Sequence, residues 1–135
     1  MASSPLSGLR VIEIGHYIAA PFAATLFADQ GADVTKIERP GGDPFRGQAA
    51  AFAAWNRGKT SVTLDLSTAP GRSEASALIE GADVVIENLR PGALARLGLP
   101  LDEMRRGNAG LVTCSISAFG STGRWRRISL IVAVR

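Results

Sequence analysis

"LRVIEIGHYIAAPFAATLFADQGADVTKIERP", residues 9–40, decides the fold. Its first seven residues form a short apolar run rich in β-branched side chains and stopped by Gly15, the pattern of a strand buried on both faces. Pro21 suits a first helical turn, where its missing N–H has no partner to lose. Gly31 can adopt the left-handed conformation just past a helix end, so a helix is predicted from about 20 to 30. Residues 33–40, "DVTKIERP", give a second strand. Strand, helix and strand within this stretch match one βαβ unit, whose two strands run parallel through a right-handed connection.

The same alternation continues outward. The loop "GGDPFRGQ" (41–48) and a short apolar piece, "AAAFAAWN" (49–56), lead to a third strand at 60–66, "TSVTLDL". Ser67 and Thr68 are helix-start residues before an Ala-rich stretch that stops at Gly81. A fourth strand follows at 83–89, then a short helix opened by Pro91, a further helical turn or two at 102–108, and a fifth strand at 111–119. Five strands alternating with helices predict an α/β fold: a doubly wound, mainly parallel sheet in a Rossmann-like three-layer sandwich. The chain has 135 residues, the length of a single domain with one core.

Composition narrows the function. With 46% hydrophobic and 20% charged residues the chain has an ordinary globular balance. Its net charge of +3 comes from Arg124, Arg126, Arg127 and Arg135, which leave a slightly acidic remainder. A nucleic-acid surface spreads its cations over one face, so nucleic acid is not an expected partner. Cys114 is the only cysteine, which excludes an intrachain disulfide and a cysteine-based zinc site and fits a reducing, cytoplasmic setting. No stretch approaches the length of a membrane span.

In a doubly wound sheet, ligands sit at the carboxyl ends of the strands. The first such turn, "EIGHYIAAPF", lacks GxGxxG, so the dinucleotide pyrophosphate cradle is missing. His16 at that mouth is either a donor to an anion or a solvated polar residue. Arg39 and Arg46 follow the second strand, and guanidinium groups hold phosphate in a planar, bidentate way. The alternative for both is a solvated charged loop. Asn88, after the fourth strand, can fix the polar edge of a ligand or cap the next helix. Glu87 has no partner spaced to tune it as a base, and "FGSTG" with a single histidine in the chain does not make a hydrolase triad.

Taken together, "LRVIEIGHYIAAPFAATLFADQGADVTKIERPGGDPFRG", "WNRGKTSVTLDLSTAPGR", "ADVVIENLRPGALARLGL" and "NAGLVTCSISAFGSTG" resemble the N-terminal part of family III CoA-transferases, the CaiB/BaiF family, over residues 6–123. The resemblance implies a CoA-binding domain over 1–123, truncated from a larger two-domain fold, followed by a divergent basic and apolar tail, 124–135. It also implies an interlocked homodimer, coenzyme A or acyl-CoA as substrate rather than a tightly bound cofactor, and a carboxylic acid as acceptor. By the same resemblance, His16, Ala19, Arg39, Leu64, Asn88 and Arg96 fall at CoA-binding positions. Ile18, Ser67 and Leu89 depart from the formyl-CoA transferase pattern, which argues against formyl or oxalyl specificity.

In the transferases of this family, an aspartate attacks the acyl-CoA thioester and relays CoA through covalent intermediates. The matched segments contain no counterpart of that aspartate, so no catalytic residue is expected here and the chain reads as inactive alone. The alternatives are a stand-alone CoA- or nucleotide-binding or interaction module, and a fragment of an α-methylacyl-CoA racemase-like enzyme.

Overall fold

The computed structural model describes residues 4–126 and 128. Five strands form one parallel sheet: β1 (Arg10–Ile14), β2 (Asp33–Glu38), β3 (Lys59–Thr63), β4 (Val84–Glu87) and β5 (Val112–Ser115). Their spatial order is β3-β2-β1-β4-β5, so β1 lies in the middle and the strand order reverses beside it. Among the described residues five α-helices accompany them, α1 (Ala19–Asp29), α2 (Ala49–Asn56), α3 (Ala69–Glu80), α4 (Ala93–Arg96) and α5 (Leu101–Gly107), with a 3-10 turn at Pro44–Gly47. The doubly wound α/β architecture expected from the sequence is the architecture observed.

The period of two along β1 distributes its side chains between two cores. Ile12 and Ile14 join Ile37, Val85, Ala75 and Ile79 beneath α3, with Leu94 and Leu99 completing that side. Val11 turns the other way, with Val34, Val84 and Ile86, onto Ala20 and Ala24 of α1. Helices therefore cover both sheet faces, which is why Val11, Ile12, Ile14, Val34, Ile37, Val84, Val85 and Ile86 are all buried.

The helix boundaries follow local chemistry. Thr68 caps α3 by accepting the Gly71 amide, and Gly81 closes that helix with its own amide on the Ala77 carbonyl. Gly31 takes φ +92°, the left-handed turn that ends α1. The apolar piece at 49–56 is a helix, α2, although Gln48 gives it no side-chain cap. The carboxyl ends of the strands stop short of the predicted limits because the chain turns immediately: the Glu87 carboxylate accepts the Leu89 amide and bends the backbone out of β4.

The side of the sheet under α1 carries a feature that the apolar pattern conceals. Glu13 of β1 and Lys36 of β2 are register partners, and both are shut away from solvent, at 0% and 1% exposure. The Lys36 ammonium donates to Glu13 Oε1 at 2.6 Å and to the Gly15 carbonyl at 2.9 Å, with Asp43 Oδ2 at 3.0 Å. Lys59, entering β3, donates to Glu13 Oε2 at 2.7 Å and to the carbonyls of Pro21 and Trp55. Burial pushes Lys59 below the ordinary lysine range, while Glu13 opposes that shift. A two-plus, two-minus network thus joins β1, β2, β3, α1 and the loop after β2.

A second polar knot lies at the end of β2. Glu38 accepts from both Arg46 Nε at 2.7 Å and Arg46 Nη2 at 2.6 Å, from the Ser61 hydroxyl, and from the Asp43 amide. Burial raises the Glu38 pKa, but the Arg46, Ser61 and Asp43 bonds outweigh it and hold the carboxyl at about 2, down from 4.5. A carboxyl with a depressed folded-state pKa stabilises above its unfolded value and loses that contribution as pH falls from about 4.5 toward 2. Glu38→Gln is therefore expected to flatten the loss of stability across that acid window, read from urea midpoints as a function of pH. An unchanged acid slope would contradict this assignment.

Candidate functional site

The reversal of strand order beside β1 creates a crevice at the carboxyl ends of β1 and β4, the position where open α/β sheets bind ligands. Asn88 closes its floor. The Asn88 Oδ1 atom accepts the His16 amide and its Nδ2 donates to the His16 carbonyl, both at 2.9 Å. These reciprocal bonds tie together two turns that lie 72 residues apart. Gly15 makes the close approach possible: a Cβ there would stand 2.7 Å from Asn88 Oδ1 and 2.5 Å from the Ala20 Cβ. Asn88 does not cap α4, whose N-cap is Gly92 with no side-chain cap.

The β1–α1 turn is held on every side. Gly15 O is taken by Lys36, both backbone groups of His16 by Asn88, and the Tyr17 amide by Asp43 Oδ1 at 3.3 Å. Tyr17 has φ +62°, a left-handed conformation that costs a side-chain-bearing residue about 1–2 kcal/mol. Its ring packs 6.0 Å from that of Phe45. Ile18, the α1 N-cap, supplies no side-chain acceptor, so the first turn of α1 opens without a side-chain cap.

Above the floor lies a cleft of about 390 Å³ lined by His16, Arg39, Leu64 and Arg96, with apolar walls from Ile14 and Ile37. Four of the six residues singled out from the sequence are thereby brought to one cavity. Ala19 and Asn88 lie along an adjoining groove of about 260 Å³ that also includes Leu89, Arg90 and Pro91. Arg90 borders both spaces and had not been singled out. Its signal was a cation next to the "EN" turn, which sequence alone does not distinguish from any surface arginine.

The two arginines after β2 part company. Arg39 is exposed, its Nε on the Gly42 carbonyl at 3.2 Å, and its guanidinium lines the cleft. Arg46 is committed to Glu38 and stacks over Phe52 at 4.3 Å, so its role is structural. Ser67 lines the cleft, where its hydroxyl and amide both donate to Asp65 and draw that carboxyl below its usual range. The arrangement offers apolar walls for a flat ring system and guanidinium groups for anionic oxygens. Among the described residues no group of three or more His, Cys, Asp or Glu is placed to hold a metal ion, and no helix is long and apolar enough to cross a membrane.

These features define a doubly wound α/β domain with a cationic, apolar-walled cleft at its switch point. The sequence matches the model of CoA-transferase family III over residues 6–129, and the chain belongs to that family. It is 43% identical over 134 residues to the succinate–glutarate CoA-transferase of Agrobacterium fabrum, covering 88% of this chain and 34% of that protein. It is 40% identical to the succinyl-CoA–D-citramalate CoA-transferase of Chloroflexus aurantiacus, covering 90% of this chain and 33% of that one. Among solved structures, a CaiB/BaiF family protein from Brucella suis superposes with a TM-score of 0.90 at 38% identity, over 95% of this chain and 37% of its own. The chain thus spans about a third of the length of the relatives it matches.

Proposed function

We propose that this chain cradles the nucleotide end of coenzyme A thioesters for the transfer of CoA between an acyl-CoA and a carboxylic acid. The observation that carries the reading is the gathering of His16, Arg39, Leu64 and Arg96 in one cleft, in a chain matched by the family model over residues 6–129. Leu64 and its apolar neighbours would receive the adenine, and Arg39 and Arg96 the phosphates. Ala19 and Asn88 would lie along the path of the pantetheine arm. Relatives named for succinate and glutarate, for succinyl-CoA and D-citramalate, and for succinyl-CoA and L-malate support a dicarboxylate acceptor class.

In this reading CoA is a substrate and not a resident cofactor, and the setting is cytoplasmic. Residues 1–123 are assigned to the CoA-binding domain, while the tail from 124 onward lies largely outside the described residues. The aspartyl relay belongs to the full transferase. No residue of this chain is assigned the nucleophile's role, so the activity proposed for it alone is binding. The full enzyme is proposed to be a homodimer. Support comes from the outer side of α1, where Ile18, Phe22 and Leu26 form an exposed apolar row.

Titration calorimetry tests the reading. CoA is expected to bind, and 3′-dephospho-CoA to bind less tightly. Arg39→Ala or Arg96→Ala should weaken CoA by about 10- to 100-fold, the worth of one charge-assisted hydrogen-bonded pair. Light scattering on the full-length enzyme should report a dimer. No measurable heat or saturation with CoA would overturn the binding reading, and a monomer at every concentration would overturn the dimer.

A further inference from the structure

The cleft has two walls that belong to different parts of the chain. One is the β1–α1 turn, which carries His16; the other is the loop after β2, which carries Arg39. Asp43 stands between them. It lies in the second loop, 3% exposed, and its Oδ1 accepts the amide of Phe45 at 2.8 Å within its own loop and the amide of Tyr17 at 3.3 Å across the gap. Its other oxygen faces the Lys36 ammonium, which in turn holds the Gly15 carbonyl. The Glu38 carboxylate fixes the Asp43 amide from below.

We propose that Asp43 is a positioning residue for the cleft: by holding the Tyr17 amide it keeps that residue left-handed and sets the His16 wall at its working distance from the Arg39 wall. The inference rests on the CoA-binding reading of the cleft. Tyr17 is the only non-glycine residue with positive φ among the described residues, and it sits between the two residues, His16 and Ala19, assigned to the ligand. Backbone strain of this kind persists where surrounding contacts over-determine it. The contacts here are the Asp43 bond and the Phe45 ring, both from the opposite wall. Release of the amide lets Tyr17 relax toward negative φ. The Asn88 bond to the His16 carbonyl is then the remaining restraint on that peptide unit, and the His16 wall and the start of α1 shift relative to the Arg39 wall.

Three variants separate positioning from simple structural support. Asp43→Asn keeps an oxygen for both amides, while it removes the charge and turns an NH2 group toward the Lys36 ammonium. Asp43→Ser retains the local turn bond to the Phe45 amide, as serine does in such turns, but is too short to span to Tyr17. Asp43→Ser/Tyr17→Gly adds a residue that takes φ +62° without strain. CoA titrations on the full chain should give an affinity within about threefold of wild type for Asp43→Asn, a loss of about tenfold or more for Asp43→Ser, and recovery of most of that loss in the double variant.

Equal weakening by Asn and Ser, or no recovery with Tyr17→Gly, would overturn the proposal in favour of a charge or packing role. If the wild-type chain fails to bind CoA, the functional reading falls first, and the proposal with it. A measurement that needs no variant to fold is amide exchange of Tyr17 in the wild-type chain. Protection of about a hundredfold over a free peptide is expected for an amide held by a buried carboxylate, and free-peptide exchange would overturn the proposal.

Discussion

Glu13→Ala is expected to lower the unfolding free energy by about 3–5 kcal/mol, the cost of stranding buried charge after one partner is removed. Glu13 is the shared acceptor of two lysines, Lys36 at 2.6 Å and Lys59 at 2.7 Å, and its side chain has no solvent exposure. Water cannot replace it without opening the layer between β1 and α1. Lys36 keeps Asp43 and the Gly15 carbonyl, and Lys59 keeps two carbonyls and Asn56, so the ammoniums are not left bare. They do lose the only carboxylate that touches both. Against a typical stability of about 5–15 kcal/mol, the loss leaves the domain near its unfolding threshold at physiological temperature. Urea denaturation measures it directly. Glu13→Gln, which preserves shape and one acceptor oxygen, should recover part of the deficit. A loss under about 1 kcal/mol for Glu13→Ala would mean that the network is far wetter than its geometry implies.

Asn88→Ala should cost about 2–4 kcal/mol and weaken CoA as well. Two half-buried backbone groups of His16 lose their partners at once, each at the penalty of an unsatisfied donor or acceptor, about 1–3 kcal/mol. Asn88→Asp is the sharper test. It retains an acceptor for the His16 amide but sets a carboxylate oxygen against the His16 carbonyl, so it should be no better than alanine. A ligand-only role for Asn88 predicts a different outcome, with CoA affinity falling and the melting temperature unchanged. A stability loss below about 0.5 kcal/mol in both variants would support that simpler role.

The element order was legible because strands buried on both faces announce themselves as short β-branched runs, and because Gly31, Thr68 and Gly81 mark helix ends by chemistry that acts locally. Helix α2 was not legible as a helix: an alanine-rich octet without a capping side chain at Gln48 looks like any apolar piece. The cleft residues were nominated by resemblance, and the structure brings His16, Arg39, Leu64 and Arg96 together because they follow four adjacent strands. The contrast between Arg39 and Arg46 lay beyond sequence reasoning, since both are loop arginines and only the fold shows that Glu38 claims the second.

Nor was the buried charge network foreseen, although a signal existed. A glutamate inside "VIEI" and a lysine inside "VTKIE" sit between apolar residues in strands covered on both faces, and such a pair has to find each other across neighbouring strands. Asn88 posed a different difficulty. Its bond to His16 depends on β4 lying beside β1, and no local pattern encodes that adjacency.

Of the described strands, β1 comes first in the chain and lies centrally in the sheet, and this shapes the order in which they pair. A nascent chain can lay down β1, β2 and β3 as soon as residue 63 clears the ribosome, yet the opposite margin of β1 stays bare until β4 emerges some twenty residues later. At bacterial and eukaryotic synthesis speeds of about 5–20 residues per second, that is an interval of about one to four seconds. During it, a half-built sheet presents the unpaired backbone edge of β1, open to pairing with another chain. Closure of the His16 turn by Asn88 belongs to the end of that interval, so the ligand crevice is among the last parts of the domain to take shape.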